Sequence, residues 1–164
     1  MEYRSAQPKK TVAAPTVRPH ARWSPPPVGW FKANFDAAIF QDVGRVGLGV
    51  ILRDSQGLAL VSLAQNIQLA SSEAEMEALA ATRALELAAE LGFDRVIFEG
   101  DSTSVITSLT DQVQNLAPFG LLIKEAQDLA LRLNHVKFQH VGRDGNSVVH
   151  SVVYKNESGN KFLK

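Results

Sequence analysis

"EALAATRALELAAELGFDRVIFEGDS", Glu77–Ser102, holds a helix and the strand that follows it in one stretch. Alanines and leucines at helical spacing predict a long Ala/Leu/Glu-rich helix from about Ser71 to Leu91. Ser71 or Ser72 can cap its start, and Gly92 stops it. "RVIFEGD" then reads as a short apolar strand ending on an acid, Asp101. A helical wheel gathers Glu75, Leu79, Thr82, Arg83, Glu86 and Glu90 on one side, a mostly polar face, and turns Glu77 to the other. There Glu77 is flanked by Ala80, Ala81, Ala84 and Ala88, small residues suited to close packing on a sheet. A glutamate inside an apolar stripe needs a compensating cation or a metal. Glu73, one turn earlier, is expected to be solvated at the helix end.

Upstream, "FKANFDAA" alternates Phe31, Ala33, Phe35 and Ala37 with Lys32, Asn34 and Asp36, the pattern of a strand. That alternation allows Asp36 a surface-facing position. "VGLGVILRD" and "LALVSLA" are β-rich runs separated by "SQG", so they read as a hairpin. Downstream, "STSVITSL" opens a short helix capped by Ser102 or Thr103. Pro118 starts another that runs to about Leu133, "VKFQHV" is an alternating strand, and "NSVVHSVVYK" forms a weak last helix. The order β-β-β-α-β-α-α-β-α implies an α/β fold, a mixed sheet covered by helices. His150 falls in the first turn of the last helix among valines, where a buried ring would need a partner.

The length, 164 residues, suits one domain, and 45% hydrophobic with 21% charged residues are ordinary globular values. Cysteine is absent, which excludes disulfides and thiolate metal sites. No apolar run approaches a membrane span and no signal-peptide core is visible, so an intracellular setting, nucleus or cytoplasm, is expected without a membrane partner. Residues 1–22 hold five basic residues (Arg4, Lys9, Lys10, Arg18 and Arg22) against one acid, Glu2. Of the 17 basic and 17 acidic residues in the chain, that leaves 12 and 16, a net of −4 on the body. We therefore expect a disordered basic Pro/Ala-rich arm over 1–22, a Trp/Pro-rich lead-in over 23–30, a domain over 31–156 and a polar tail over 157–164. A basic arm suits a polyanionic partner, whereas an acidic body is a poor non-specific phosphate binder.

Asp36, Glu77 and Asp101 thus stand on a first strand, a helix and the end of a fourth strand, where ligand sites of open α/β sheets form. Glu99 shares the fourth strand and reads as structural. If the three acids converge, mutual repulsion forbids a dry cluster without a metal. Oxygen-only donors suit Mg²⁺ or Mn²⁺, and two such ions about 4 Å apart would clamp the attacking water and leaving oxygen of a phosphodiester. Nucleophilic catalysis has no support, because the serines lack a glycine elbow, and "GRVGLG" lacks the ending of a phosphate loop.

"FKANFDAA", "GLGVILRDSQG", "EALAATRALELAAELGFDRVIFEGDS" and "HVGRDGNSVVH", in this order and spacing, resemble the ribonuclease H-like domain. The likeness is to its reverse-transcriptase-like, retroelement-derived branch common in plants, and it spans about Trp23 to Tyr154, with "WSPPPVGWFKANFD" resembling the branch's lead-in. The resemblance implies a mixed five-stranded sheet with helices on both faces. It also implies a metal-dependent endonuclease, a hydrolase that cuts the RNA strand of RNA–DNA hybrids with two divalent ions, Mg²⁺ or Mn²⁺. Carried over by position, its catalytic and metal-binding acids fall on Asp36, Glu77 and Asp101. Its fourth carboxylate, at the start of the last helix, falls on His150, so His150 is expected to join the catalytic and metal set, with a neutral ring, weaker occupancy of the second ion and a preference for Mn²⁺; the alternative is a histidine satisfied by a backbone carbonyl. Nucleic acid is the expected partner and a monomer the expected state.

Other departures from the family pattern bear on activity. Val148, Val149, Val152 and Val153 replace the usual alanine and leucine, and four β-branched residues predict a frayed last helix. Between the fourth strand and Leu133 the basic residues are only Lys124 and Arg132, so the basic protrusion by which some members grip hybrids is lacking. These features, with the missing fourth acid, favour a second reading: a weak or inactive retroelement-derived domain that binds nucleic acid or a protein. The intact acidic triad favours the enzyme.

Overall fold

The computed structural model describes residues 22–68, 72–111, 119–155 and 161–163. Nearly all of the expected basic arm, Ser71 and Pro118 lie outside the described residues. The strands are β1 (Phe31–Phe40), β2 (Arg45–Arg53), β3 (Ala59–Gln68), β4 (Arg95–Gly100), β5 (His135–His140) and β6 (Lys161–Leu163). The α-helices are α1 (Glu73–Glu90), α2 (Thr103–Thr110), α3 (Gly120–Ala130) and α4 (Ser147–Tyr154). They form a mixed sheet in the order β5-β4-β1-β2-β3-β6. β1 runs antiparallel to β2 and parallel to β4, while β5 is parallel to β4. The five expected strands are present, and β6 adds a sixth along the open edge of β3. Its three residues are too few to show periodicity in a polar tail, and β3 supplies the unpaired backbone that recruits them.

Ser72 caps α1, its hydroxyl accepting from the Glu75 amide at 3.2 Å, and Gly92 takes φ 79° just past the end. Ala80, Ala81, Ala84 and Ala88 are each at most 1% exposed, so the alanine strip does bring α1 close to the sheet. α3 is shorter than expected and stops at Ala130. No described helix is long and apolar enough to cross a membrane.

The two faces of β2 are dressed differently. Val46, Leu48, Val50 and Leu52 join Phe35, Phe98 and Leu85 in the main core under α1. The alternate residues Gly47 and Gly49 meet α4, which therefore lies on the opposite face. A Cβ at Gly49 would stand 2.3 Å from Val153 Cγ2, and one at Gly47 would stand 2.6 Å from Val153 Cγ1. The predicted fraying is thus corrected: α4 is formed, because Val149 and Val153, each 1% exposed, seat on strand positions without side chains. Their burial offsets the propensity cost of β-branching.

The second face also corrects the expectation for Asp36. Lys32, Asn34 and Asp36 do share one side of β1, but at 2%, 2% and 3% exposure they are buried, not surface-facing. Trp23 and Ser24 cover the near end and α4 the far end. Lys32 Nζ donates to the Ser24 carbonyl at 2.7 Å and lies 2.9 Å from Glu99 Oε2. Glu99 gets the charge of that ammonium without an aligned hydrogen bond on Oε2. Glu99 is structural, as expected.

Candidate metal centre

β1 and β4 run side by side, so Asp36 on β1 and Asp101 just past the end of β4 come to the same rim of the sheet. α1 crosses beside them and lowers Glu77 into the gap. One carboxylate oxygen from each of Asp36, Glu77 and Asp101 lies within 4.8 Å of the others. The three residues share a hollow of about 450 Å³ whose wall includes Glu73, Arg143, His150 and Tyr154. Asp36 and Glu77 are buried and Asp101 is partly exposed. Glu73 is exposed at the first turn of α1, as expected.

The electrostatics of this cluster are strained without a cation. Burial pushes the Glu77 carboxyl up to about 9, and the charges of Asp36 and Asp101 push the same way. Burial also raises Asp36, against the lowering effect of its hydrogen bond from His150, with Asp101 raising it further. Glu77 Oε2 is buried with no hydrogen-bond partner. A buried carboxylate oxygen that the protein leaves unsatisfied, facing two further acids, is a donor set waiting for a hard divalent cation. The residues therefore fit Mg²⁺ or Mn²⁺ and, lacking nitrogen or sulfur in the trio, do not suit zinc.

His150 reaches the site but not as a member of the trio. Its Nδ1 lies 2.7 Å from Asp36 Oδ2, so one ring nitrogen is taken up by the carboxylate. The side chain is 55% exposed, which corrects the picture of a ring buried among valines: Val149 and Val153 turn inward and His150 turns to the hollow. Tyr154, one turn on, packs against it with ring centroids 4.5 Å apart and planes tilted by 51°, and Phe40 meets Tyr154 edge-on at 5.5 Å.

Three neighbours of the site escaped the pattern reading. Tyr154 was legible as His150's i+4 partner on a helix. His140 pairs with Gly100 at the end of β5, and its Nε2 donates to the Asp101 carbonyl at 3.1 Å, bracing the turn that carries Asp101. Asn146 joins the start of α4 to β1, its Nδ2 donating to the Phe35 carbonyl at 3.0 Å. Neither of the last two leaves a local signal, since each depends on a partner far away in sequence.

Residues 34–155 match the model of the family described as "Reverse transcriptase-like". An Arabidopsis thaliana protein named "Putative ribonuclease H protein At1g65750" is 27% identical over 135 residues, which cover 82% of this chain and 22% of that protein. The chain thus spans about a fifth of that relative's length. Among solved structures, ribonuclease H1 from the archaeon Halobacterium salinarum superposes with a TM-score of 0.70 at 26% identity, over 77% of this chain and 96% of the other. LC11-RNase H1, solved in complex with an RNA/DNA hybrid, gives a TM-score of 0.66 at 19% identity, over 76% of this chain and 94% of the other.

Proposed function

The chain belongs to the reverse transcriptase-like family, and from that premise we propose that it is a metal-dependent endonuclease hydrolysing the RNA strand of RNA–DNA hybrids. Its ribonuclease H-like fold and its ribonuclease H-named relatives support a function of that general type. The observation that carries the finer reading is the convergence of Asp36, Glu77 and Asp101, with Glu77 Oε2 buried and unpartnered. A binding module would have no use for so costly an arrangement. The hybrid bound in the LC11 structure supports the same class of substrate.

Asp36, Glu77 and Asp101 would hold the ions. Divalent ions bound there supply the electrostatics of phosphodiester hydrolysis, polarising the phosphate and activating water. The protein's own part is positional. His150 fixes the orientation of the Asp36 carboxylate through Nδ1, and Tyr154 packs on the imidazole and restrains it. Arg143, exposed on the wall of the hollow, carries the positive charge suited to the substrate's backbone phosphates. The body is otherwise acidic, so hybrid affinity is weak unless the basic residues before Trp23 contribute.

Incubating the purified protein with a labelled RNA–DNA hybrid and Mg²⁺ or Mn²⁺, beside an Asp36→Asn control, tests this. Cleavage by the parent and not by the control is expected. A hybrid left intact by both sinks the proposal, and retention of uncut hybrid would favour the binding domain instead.

A further inference from the structure

A chain of side-chain hydrogen bonds crosses the second face of the sheet. Trp23 Nε1 donates to Asn34 Oδ1 at 2.8 Å, and Asn34 Nδ2 donates to Asn146 Oδ1 at 3.1 Å. Asn146 Nδ2 then donates to the Phe35 carbonyl at 3.0 Å. Both ends have a fixed role: an indole N–H can only donate and a backbone carbonyl can only accept. Each amide between them has one orientation that satisfies both neighbours, so the direction of the chain is dictated by Trp23. Asn34 and Asn146 are each 2% exposed, which leaves little water to substitute for a lost partner.

The far end of this chain lies at the metal centre. Phe35 is the residue before Asp36. Asn146 heads α4, yet its side chain makes no cap for that helix and is spent on the strand instead. It therefore fastens the element that carries His150 to the element that carries Asp36, the pair joined at 2.7 Å. Trp23 itself precedes the residues matched by the family, which begin at Asn34. Its ring lies over the Arg53 guanidinium at 4.4 Å, so it is held in place from the other side as well.

We propose that Trp23 is a positioning residue for the metal centre, acting through Asn34 and Asn146 to set α4, and with it His150, against Asp36. The proposal rests on the metal-centre reading of the preceding subsection for its purpose, but the bond chain can be tested without any metal. Trp23→Phe keeps an aromatic ring at this position and removes the donor, together with part of the indole's packing. Trp30→Phe is the comparison, because Trp30 packs on Lys137 and His135 and takes no part in the bond chain.

Two measurements on the full chain decide it. Hydrogen exchange of metal-free protein reads the backbone amides of α4 against those of α1, and calorimetry reads Mn²⁺ affinity. For Trp23→Phe we expect α4 exchange to quicken about three- to tenfold with α1 unchanged, and Mn²⁺ affinity to fall by a similar factor. Trp30→Phe should alter neither. A general structural role would instead quicken α1 and α4 together, and that result overturns the proposal, as does a Trp23→Phe protein indistinguishable from its parent. If the parent binds no Mn²⁺, the metal reading fails while the exchange data still decide whether Trp23 sets α4.

Discussion

His150 Nδ1 and Asp36 Oδ2 stand 2.7 Å apart, 114 residues from each other along the chain, where the family resemblance leads one to expect two carboxylates. An acid at position 150 would add a fourth negative charge to Asp36, Glu77 and Asp101. The imidazole adds a hydrogen-bond donor instead, and so lowers the cost of burying Asp36 while giving up a hard oxygen donor. The exchange favours the empty protein over the loaded one.

His150→Asp should reverse that balance. With Mg²⁺ saturating, hybrid cleavage is expected to rise by roughly an order of magnitude. In chelator the same variant should melt at a lower temperature than the parent, since Asp36 loses its donor and gains a like charge. An unchanged or lower rate would place His150's role outside the metal centre.

Glu77 sets a pH dependence of opposite sense for the empty and loaded protein. Its carboxyl is raised from an ordinary 4.5 to about 9, so between those values the folded chain keeps a proton that the unfolded chain releases. Stability from this group is present below about 4.5 and lost as pH rises towards about 9. Glu77→Gln has no such proton to lose, and in chelator at pH 8 to 9 it should be more stable than the parent by about 1–3 kcal/mol, with the difference vanishing near pH 4. Metal binding needs the ionised carboxylate, so Mn²⁺ affinity of the parent should climb over the same range with release of a proton. Melting curves and calorimetry in buffers of different ionisation enthalpy check both. A flat affinity profile would mean that Glu77 is not a ligand.

Glu77 also shows what a sequence can and cannot disclose. A helical period and a strip of alanines point it inward without any tertiary knowledge, and the structure places it there. Asp36 was ambiguous for a physical reason: strand alternation says which face a residue is on, not what covers that face. The cover comes from Trp23 and Ser24 and from α4, elements whose docking no local pattern encodes. The same limit hid Asn146 and His140, and it made the valines of α4 look like a weakness.

Those valines yield the last prediction, because their fit depends on two glycines of β2. Gly49→Ala would set a methyl 2.3 Å from Val153 Cγ2 and 3.3 Å from the Val149 carbonyl, and a packed helix cannot yield that much without shifting. Overpacking of this kind costs about 1–3 kcal/mol. Trimming the partner with Val153→Ala also destabilises, by leaving space on Gly49. In the double variant the new methyl occupies part of that space, so the combined loss should fall short of the two single losses added together by about 1 kcal/mol. Denaturant unfolding of the four proteins measures the coupling. Additive losses would show that α4 does not sit on Gly49 as described, and would remove the explanation for a helix built from β-branched residues.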